Sequence, residues 1–355
     1  MSQKTVITLN NEIEEFLHKK GAVSVGFATL ETLAGGPPSV DLTYVLSEAQ
    51  SAISFALPLN KELIRDFMAK KSIQAHKEAE DDQIRIRKKL DQTSNELAEW
   101  LEKKGFKAVA IKENEVYRTN VENWRREMYP DISHRYIAAV SGVGSLGWSG
   151  SMGIKSYGTA ILLSTVVTSA ELTPTNRIPP EETFCINCKL CVAACPSKMF
   201  DAKEITEVTI GGEKFTYSRR NNKMRCNFVC GGFCGLHPSG KCSTWSPGRF
   251  KMPTEEKKFM PATMTAIYKY TKWPERKPLG GFENPLLPGV NLRMTCGMCQ
   301  KVCWGDKDEN RKNYDLLINS GCVLQKPDGE IVILPPDEAQ KMFDEFPRKH
   351  KKKYF

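Results

Sequence analysis

The sequence predicts an α+β protein in which a layered α/β region precedes a region rich in cysteine. Helical and extended segments alternate up to about residue 175, and none of the twelve cysteines precedes Cys185. The chain has 355 residues, of which 40% are hydrophobic and 26% are charged, so it can bury a core without disulfide bonds. The elements predicted in the first region are helices over 11–20 and 78–104 and strands over 51–59 and 106–111.

Each of these elements rests on a residue pattern. In the segment 78–104, Leu90, Leu97 and Leu101 fall on one helical face, and Gly105 follows as a helix stop. The segments SAISFALPL and FKAVAI are short apolar runs, which are typical of buried strands. Together they predict a sheet covered by helices.

A glycine-rich loop follows a short apolar helix that we predict from residue 134. Five glycines lie between Gly142 and Gly153, and Gly158 precedes the apolar run AILLSTVV. Glycine adopts positive φ angles and lets a backbone approach a ligand closely, although close helix–strand packing alone also requires glycine. A dinucleotide site is disfavoured, because no strand directly precedes GVGSLG and Glu171 lies too far along the chain.

The proline-rich segment 170–183 predicts a domain boundary. We therefore divide the chain into an α/β core (1–175), a cysteine region (176–330) and a basic tail (331–355). A long insert, from about 197 to 295, interrupts the cysteine region. Within it, VTIGGEKFTY predicts a β-hairpin with a Gly-Gly turn.

Two cysteine motifs indicate iron–sulfur clusters. CINCKLCVAACP begins at Cys185 with the spacing C-x2-C-x2-C-x3-C-P, and CGMCQKVC begins at Cys296. The first spacing is that of bacterial ferredoxins, in which three thiolates ligate one [4Fe–4S] cluster and the fourth ligates another. Zinc is less favoured, because a fourth cysteine aimed elsewhere suits a cuboidal cluster better than one tetrahedral ion. The predicted ligands are Cys185, Cys188, Cys191 and Cys303 for the first cluster, and Cys195, Cys296, Cys299 and one of Cys226, Cys230, Cys234, Cys242 and Cys322 for the second.

Composition argues against a membrane-spanning or exported protein. No segment approaches the ~18 consecutive apolar residues of a membrane span, and the first twenty residues are polar. We therefore expect a cytoplasmic protein with no transmembrane segment and with reduced thiols. The net charge of +9 lies partly in the basic tail, which is more typical of a solvated terminus than of an RNA-binding surface.

The segment from Ser133 to Cys195 resembles the epoxyqueuosine reductases and the reductive dehalogenases, two families of cobalamin-dependent iron–sulfur reductases. HRYIAAVSGVGSLGWSG resembles their Arg- and Ala-containing helix and glycine loop, and CGMCQKVCWGD resembles their closing cysteine run. The resemblance implies a nitroreductase-like α/β core that binds base-off cobalamin, followed by a two-cluster ferredoxin-like domain. It also implies Cys226 as the remaining ligand, since these families place a lone cysteine at the start of a helix there.

The chain departs from both families near the expected proton donor. Epoxyqueuosine reductases carry a Val-Asp-(Ser/Thr)-Ala-Pro stretch, whereas this chain reads REMYPDISHR, with Met128 at the position of that Asp. The candidate donors here are Tyr129, which we prefer, and Asp131, with Arg135 or His134 as the neighbouring cation. The candidate corrin contacts are Gly142, Gly144, Gly147, Trp148, Ser149, Gly150 and Gly158.

These patterns predict a cobalamin-dependent reductase of a small organic substrate. A low-potential donor of the ferredoxin or flavodoxin type would supply its electrons. The alternatives are a corrin-free electron-transfer protein and a reductive activator of another corrinoid protein. A tRNA substrate is less favoured, because +9 on 355 residues is a mild excess of positive charge.

Overall fold

The computed structural model describes residues 3–112, 116–274, 282–284, 287–292 and 294–355. The helices are α1 (Gln3–Lys19), α2 (Lys61–Met68), α3 (Ile73–Lys103), α4 (Trp124–Glu127), α5 (His134–Val140), α6 (Leu190–Ala193), α7 (Lys223–Cys230), α8 (Phe259–Tyr270), α9 (Met298–Lys301), α10 (Lys307–Ile318), α11 (Pro336–Glu345) and α12 (Arg348–Lys351). The strands are β1 (Ser24–Thr29), β2 (Ser51–Pro58), β3 (Ala108–Ile111), β4 (Ser145–Leu146), β5 (Met152–Gly153), β6 (Ile161–Thr168), β7 (Phe200–Ile210), β8 (Glu213–Arg220), β9 (Phe282–Asn284), β10 (Leu287–Leu292), β11 (Cys322–Gln325) and β12 (Ile331–Leu334).

Four strands form the central sheet in the order β1-β2-β6-β3, and every neighbouring pair is antiparallel. The strands predicted over 51–59 and 106–111 are thereby confirmed as β2 and β3. An alternation of helix and strand usually gives a parallel sheet. Here β6, which follows the glycine loop, lies between β2 and β3 and runs opposite to both, so the mixed architecture is of the α+β class.

Alternate side chains of β2 are buried on opposite faces of this sheet. Ile53 and Phe55 pack in one hydrophobic cluster with residues of α1 and α3, including Leu97. Ala52 and Ala56 face the other side, where α5 packs. Their small side chains let α5 lie close to the sheet, which places the residues at its start near the strand ends.

The second half of the chain packs directly onto this core. The predicted hairpin is confirmed: β7 and β8 are joined by Gly211 and Gly212, whose φ angles of 60° and 79° suit a tight turn. Tyr217 of β8 is buried beside α5, and Trp245 donates a hydrogen bond from Nε1 to the Phe67 carbonyl at 2.9 Å. Hydrophobic clusters therefore contain residues from both sides of the predicted boundary at 170–183. The division into domains stays a prediction.

Across the described residues, the longest helices are too polar to span a lipid bilayer.

Candidate functional site

The first cysteine set surrounds one small cavity. Its four members, Cys185, Cys188, Cys191 and Cys303, all line it. Local backbone geometry brings them together, because Asn187 and Lys189 adopt positive φ angles of 55° and 57° between the cysteines. Four thiols around one space are the donor set of a cuboidal iron–sulfur cluster.

Burial and neighbouring donors determine the chemistry of this first set. Burial, together with the adjacent thiols, raises the pKa of Cys303 to about 12 and that of Cys191 to about 11. The backbone N–H of Trp148 donates to Cys185 Sγ at 3.3 Å, and Asn310 Nδ2 donates to Cys188 Sγ at 3.6 Å. Because thiols ligate as thiolates, this arrangement favours deprotonation only when a cation binds.

The second set consists of Cys195, Cys226, Cys296 and Cys299. Burial raises the pKa of Cys299 well above its usual value, and the thiols of the other three members add to the effect. The sequence also left Cys230 open, and the structure places it in this set: Cys230 Sγ lies 3.6 Å from Cys226 Sγ. The second site therefore offers five thiols, and which of Cys226 and Cys230 ligates stays a prediction.

The other candidate thiols lie elsewhere. Cys242 and Cys322 are buried beside Lys70, and Cys234 packs among hydrophobic side chains. Within the described part of the chain, no group of three or more His, Cys, Asp or Glu side chains is arranged to hold a single metal ion. A cuboidal cluster binds its four thiolates to four separate irons, so that finding concerns single ions only.

A larger cavity of about 450 Å³ has two lining residues, Gln300 and Arg220, that connect it to Cys299 of the second set. Gln300, which directly follows Cys299, forms part of its wall. Three of the four predicted catalytic residues line it, and they are Tyr129, His134 and Arg135. Met128, which the sequence resemblance places at the position of the donor Asp, lines it as well.

Asp131 lies outside the lining of this cavity. Its side chain turns back on the backbone, and Oδ1 accepts a hydrogen bond from the Ile132 N–H at 2.7 Å. Burial raises the pKa of this carboxyl group. The placement favours Tyr129 over Asp131 as the residue that meets a bound molecule.

The cation expected beside Tyr129 is a residue that sequence reasoning missed. Burial lowers the pKa of His134 to about 4, so this imidazole is neutral at pH 7. Arg135 is directed elsewhere, donating to the Gly150 carbonyl at 3.2 Å and to the Tyr136 hydroxyl at 3.1 Å. Instead, Lys223 Nζ lies 5.8 Å from the centre of the Tyr129 ring. Its position at the start of the helix that carries Cys226 was the available signal.

Arg220 is the second residue that the sequence did not reveal. It lines the cavity and donates from Nη2 to the Ser149 carbonyl at 2.9 Å. Burial, together with the charge of Arg135, lowers its pKa to about 10. The predicted contacts Ser149 and Gly150 thus hold two arginines through their carbonyl oxygens.

Most glycines of the predicted corrin loop pack against the protein itself. A Cβ atom on Gly142, Gly144 or Gly158 would come within 3.0 Å of backbone atoms, and one on Gly147 would meet the Phe184 ring at 2.8 Å. Trp148 lies at the first cysteine set, where its Nε1 donates to the Asp201 carbonyl at 3.0 Å.

Of the predicted corrin contacts, only Gly150 lines the 450 Å³ cavity. Cavities of that size typically hold small organic ligands. The described lining of this cavity therefore fits a small organic molecule, and the corrin contacts stay predictions.

Comparison with protein-family models and with characterised proteins gives no match. Among solved structures, the chain is similar to epoxyqueuosine reductase from Bacillus subtilis, with 17% identity, 66% of this chain and 59% of that chain covered, and a TM-score of 0.39. Epoxyqueuosine reductase from Streptococcus thermophilus is 15% identical, with 98% of this chain and 75% of that chain covered and a TM-score of 0.40. A catabolic reductive dehalogenase is 13% identical, with 71% of this chain and 33% of that chain covered and a TM-score of 0.43. The chain spans only about 60% of the length of the first of these reductases.

Proposed function

We propose that this chain is a two-cluster iron–sulfur reductase that acts on a small organic substrate in the 450 Å³ cavity. The observation that carries the proposal is that two residues of the cavity lining, Gln300 and Arg220, connect it to Cys299 of the second set. Gln300 lines the cavity next to Cys299, and the guanidinium of Arg220, which also lines it, interacts electrostatically with the Cys299 thiol. A cluster at this set would lie beside the bound molecule, where electrons can reach it.

The position of the cavity gives the proposed electron path a direction. Both sets contain an exposed thiol, Cys188 in the first and Cys230 in the second, and both contain buried thiols, so exposure does not distinguish them. Because the lining of the cavity is linked to Cys299 of the second set, a low-potential donor of the ferredoxin or flavodoxin type would deliver electrons at the first cluster. Cys191 and Cys195 belong to one short motif and connect the two sets, so electrons would pass to the second cluster and then to the cavity.

Reductive cleavage of a carbon–heteroatom bond consumes two electrons and one proton, forming a C–H bond and releasing the heteroatom as its anion. Tyr129 is the proposed proton donor because it lines the cavity. The ammonium group of Lys223 beside its ring would stabilise the phenolate that remains. Solvent then returns the proton to Tyr129.

Cobalamin stays part of the proposal through the sequence resemblance alone. When bound, it would supply a strongly reducing cobalt centre for the bond cleavage. A corrin-free electron carrier is the second candidate, and the glycines that pack within the protein favour it.

Metal content after anaerobic reconstitution tests the proposal. The chain would be loaded with iron and sulfide, with and without cobalamin, and analysed after gel filtration and by EPR. We expect about eight irons per chain. One retained cobalt would establish the corrinoid enzyme, whereas eight irons without cobalt would favour the corrin-free candidate.

Serine variants sharpen this experiment. Cys188→Ser and Cys299→Ser should each lose about four irons, because each removes a ligand of a different cluster. Cys322→Ser is the matched control, since this buried thiol lies outside both sets, and it should keep the full iron content. About four irons in the unmodified chain would contradict a two-cluster protein.

A further inference from the structure

We infer that the cavity takes a substrate that carries an anionic oxygen group, a carboxylate or a phosphate, bound by Arg135, Arg220 and Lys223. That the bound anion is a substrate rests on the proposed function, which this inference deepens by naming the chemical class of the substrate. The anion site itself depends only on the side chains of the cavity.

Positive charge in this cavity is not balanced by the residues that line it. Arg135, Arg220 and Lys223 all face it, and its described lining contains no Asp or Glu. Burial lowers the pKa of Lys223, and the two arginines lower it further, while Glu127 partly opposes them. Three cations that destabilise one another in a partly desolvated space are stabilised by a bound anion.

The two guanidinium groups are held in place before any ligand arrives. Arg135 donates to the Gly150 carbonyl and Arg220 to the Ser149 carbonyl, at 3.2 and 2.9 Å. Both lie over the Tyr217 ring, with 5.2 and 5.4 Å between the guanidinium carbon and the ring centre. Restrained planar guanidinium groups lose little entropy when they bind a carboxylate or phosphate in bidentate fashion.

One donor of this arrangement has no acceptor among the described residues. The Nε of Arg220 is buried and makes no hydrogen bond. A buried donor without a partner costs roughly 1–3 kcal/mol. A ligand oxygen at this position would satisfy it.

The same anionic chemistry could come from two sources, the acid group of the substrate or the phosphate in the nucleotide portion of a corrinoid. The neutral His134 and the hydroxyl of Tyr129 leave the rest of the wall uncharged, which suits an organic body attached to the acid group. We therefore assign the anion to the substrate, and competition with cobalamin separates the two sources.

The test is a calorimetric titration of the full, cluster-loaded chain with sodium phosphate and sodium benzoate at constant ionic strength. We expect saturable one-to-one binding of at least one of them. Arg220→Gln should weaken it about tenfold, the loss of one charge-assisted hydrogen-bonded partner. Arg219→Gln is the matched control: this neighbouring arginine is exposed and pairs with Asp201 and Glu204, so binding should change less than about twofold.

Lys223→Gln provides a second variant if Arg220→Gln folds poorly, as judged by circular dichroism and iron content, and about a tenfold loss is again expected. Absence of saturable binding to a chain that holds about eight irons would overturn the anion site and leave the reductase proposal standing. An equal loss in Arg219→Gln would also overturn it, as a general charge effect. Displacement of the anion by cobalamin would overturn the assignment to substrate, whereas simultaneous binding supports it.

If the unmodified chain holds few irons but still binds the anion, the reductase proposal fails and the anion site stands.

Discussion

At the scale of single residues, the charge of the cavity is decided by side chains that come from distant parts of the chain. Arg220 is 71 residues from the carbonyl of Ser149 that it contacts, and Lys223 is 96 residues from the Glu127 carbonyl to which its Nζ donates at 2.7 Å. Tyr129 thus has its cation from the insert rather than from the adjacent His134 or Arg135. Burial explains the difference for His134, because desolvation favours the neutral imidazole.

The choice between Cys226 and Cys230 as cluster ligand can be resolved by serine variants. Both thiols lie on one face of α7, 3.6 Å apart. We expect Cys226→Ser to lose about four irons per chain and Cys230→Ser to retain about eight, because the resemblance implies Cys226 as the ligand. Iron analysis of the reconstituted variants and of the double variant checks this. The reverse pattern would assign the ligand to Cys230, and full iron in both single variants would mean that either thiol can serve.

Asn310 is expected to tune the potential of the first cluster. Its amide donates to Cys188 Sγ, and hydrogen bonds to cluster sulfur stabilise the more negative, reduced state. Asn310→Leu should lower the midpoint potential by about 20–60 mV, the equivalent of one net hydrogen bond in a one-electron couple. A redox titration followed by EPR measures it. Asn319→Leu, directly after the end of the same helix, is the control, because that amide donates to the Asp315 carbonyl, and an equal shift there would refute the assignment.

At the scale of elements, the glycine loop connects the sheet to the cysteine region. It holds two arginines by its carbonyl oxygens at Ser149 and Gly150 and packs its glycines against neighbouring backbone. Gly158, at the end of the loop, lies against Trp304, directly after the predicted ligand Cys303. One close contact therefore couples the position of β6 to the position of this predicted ligand.

Replacing Gly158 should disturb the position of β6 and the position of Cys303. Its φ is +58°, and a Cβ atom would come within 3.0 Å of the backbone of Trp304 and Cys303. Gly158→Ala should lower the free energy of unfolding by about 2–5 kcal/mol, from left-handed strain plus overpacking. It should also reduce iron at the first cluster.

Gly35→Ala is its control, because Gly35 has a φ of +69° with open space where the Cβ would be. Gly35→Ala should lower the free energy of unfolding only by the left-handed backbone strain of about 1–2 kcal/mol. Urea denaturation and iron analysis compare the two. Equal losses would show that the contact with Trp304 has no role.

At the scale of the whole molecule, the hydrophobic clusters do not follow the predicted domains. Phe67 of α2 packs in one cluster with Trp245, Trp304 and Val323, which lie in the cysteine region. Trp245 also stacks on His76 of α3 with ring centres 4.6 Å apart. Such a shared core predicts that the α/β core and the cysteine region unfold together.

Trp245→Ala tests this coupling. The side chain is 5% exposed and its indole N–H is hydrogen-bonded, so truncation should cost about 3–5 kcal/mol. Circular dichroism and the visible absorbance of the clusters should lose signal at the same lowered denaturant concentration. Trp100→Ala, on the more exposed surface of α3, should cost clearly less. Two separated transitions would instead establish independent domains.

Features that depend on neighbours along the chain could be predicted from the sequence alone. Motif spacing indicated seven of the eight cluster ligands and left the eighth open, the apolar runs predicted β2 and β3, and Gly211 with Gly212 indicated the hairpin. Tyr129 and Arg135 were likewise identified as candidates and do line the cavity. Periodicity and turn chemistry are local properties, so one chain suffices to read them.

Features that depend on contacts between distant segments required the folded chain. They are the antiparallel order of the sheet, the five-thiol second set, and the cations Arg220 and Lys223, which β8 and α7 bring to the cavity. Backbone contacts with other segments explain why Gly142, Gly144 and Gly158 are glycines, a requirement that the sequence could equally assign to a bound ligand. Close backbone approach has one residue signature whether the partner is a cofactor or the protein itself, and the fold alone distinguishes the two.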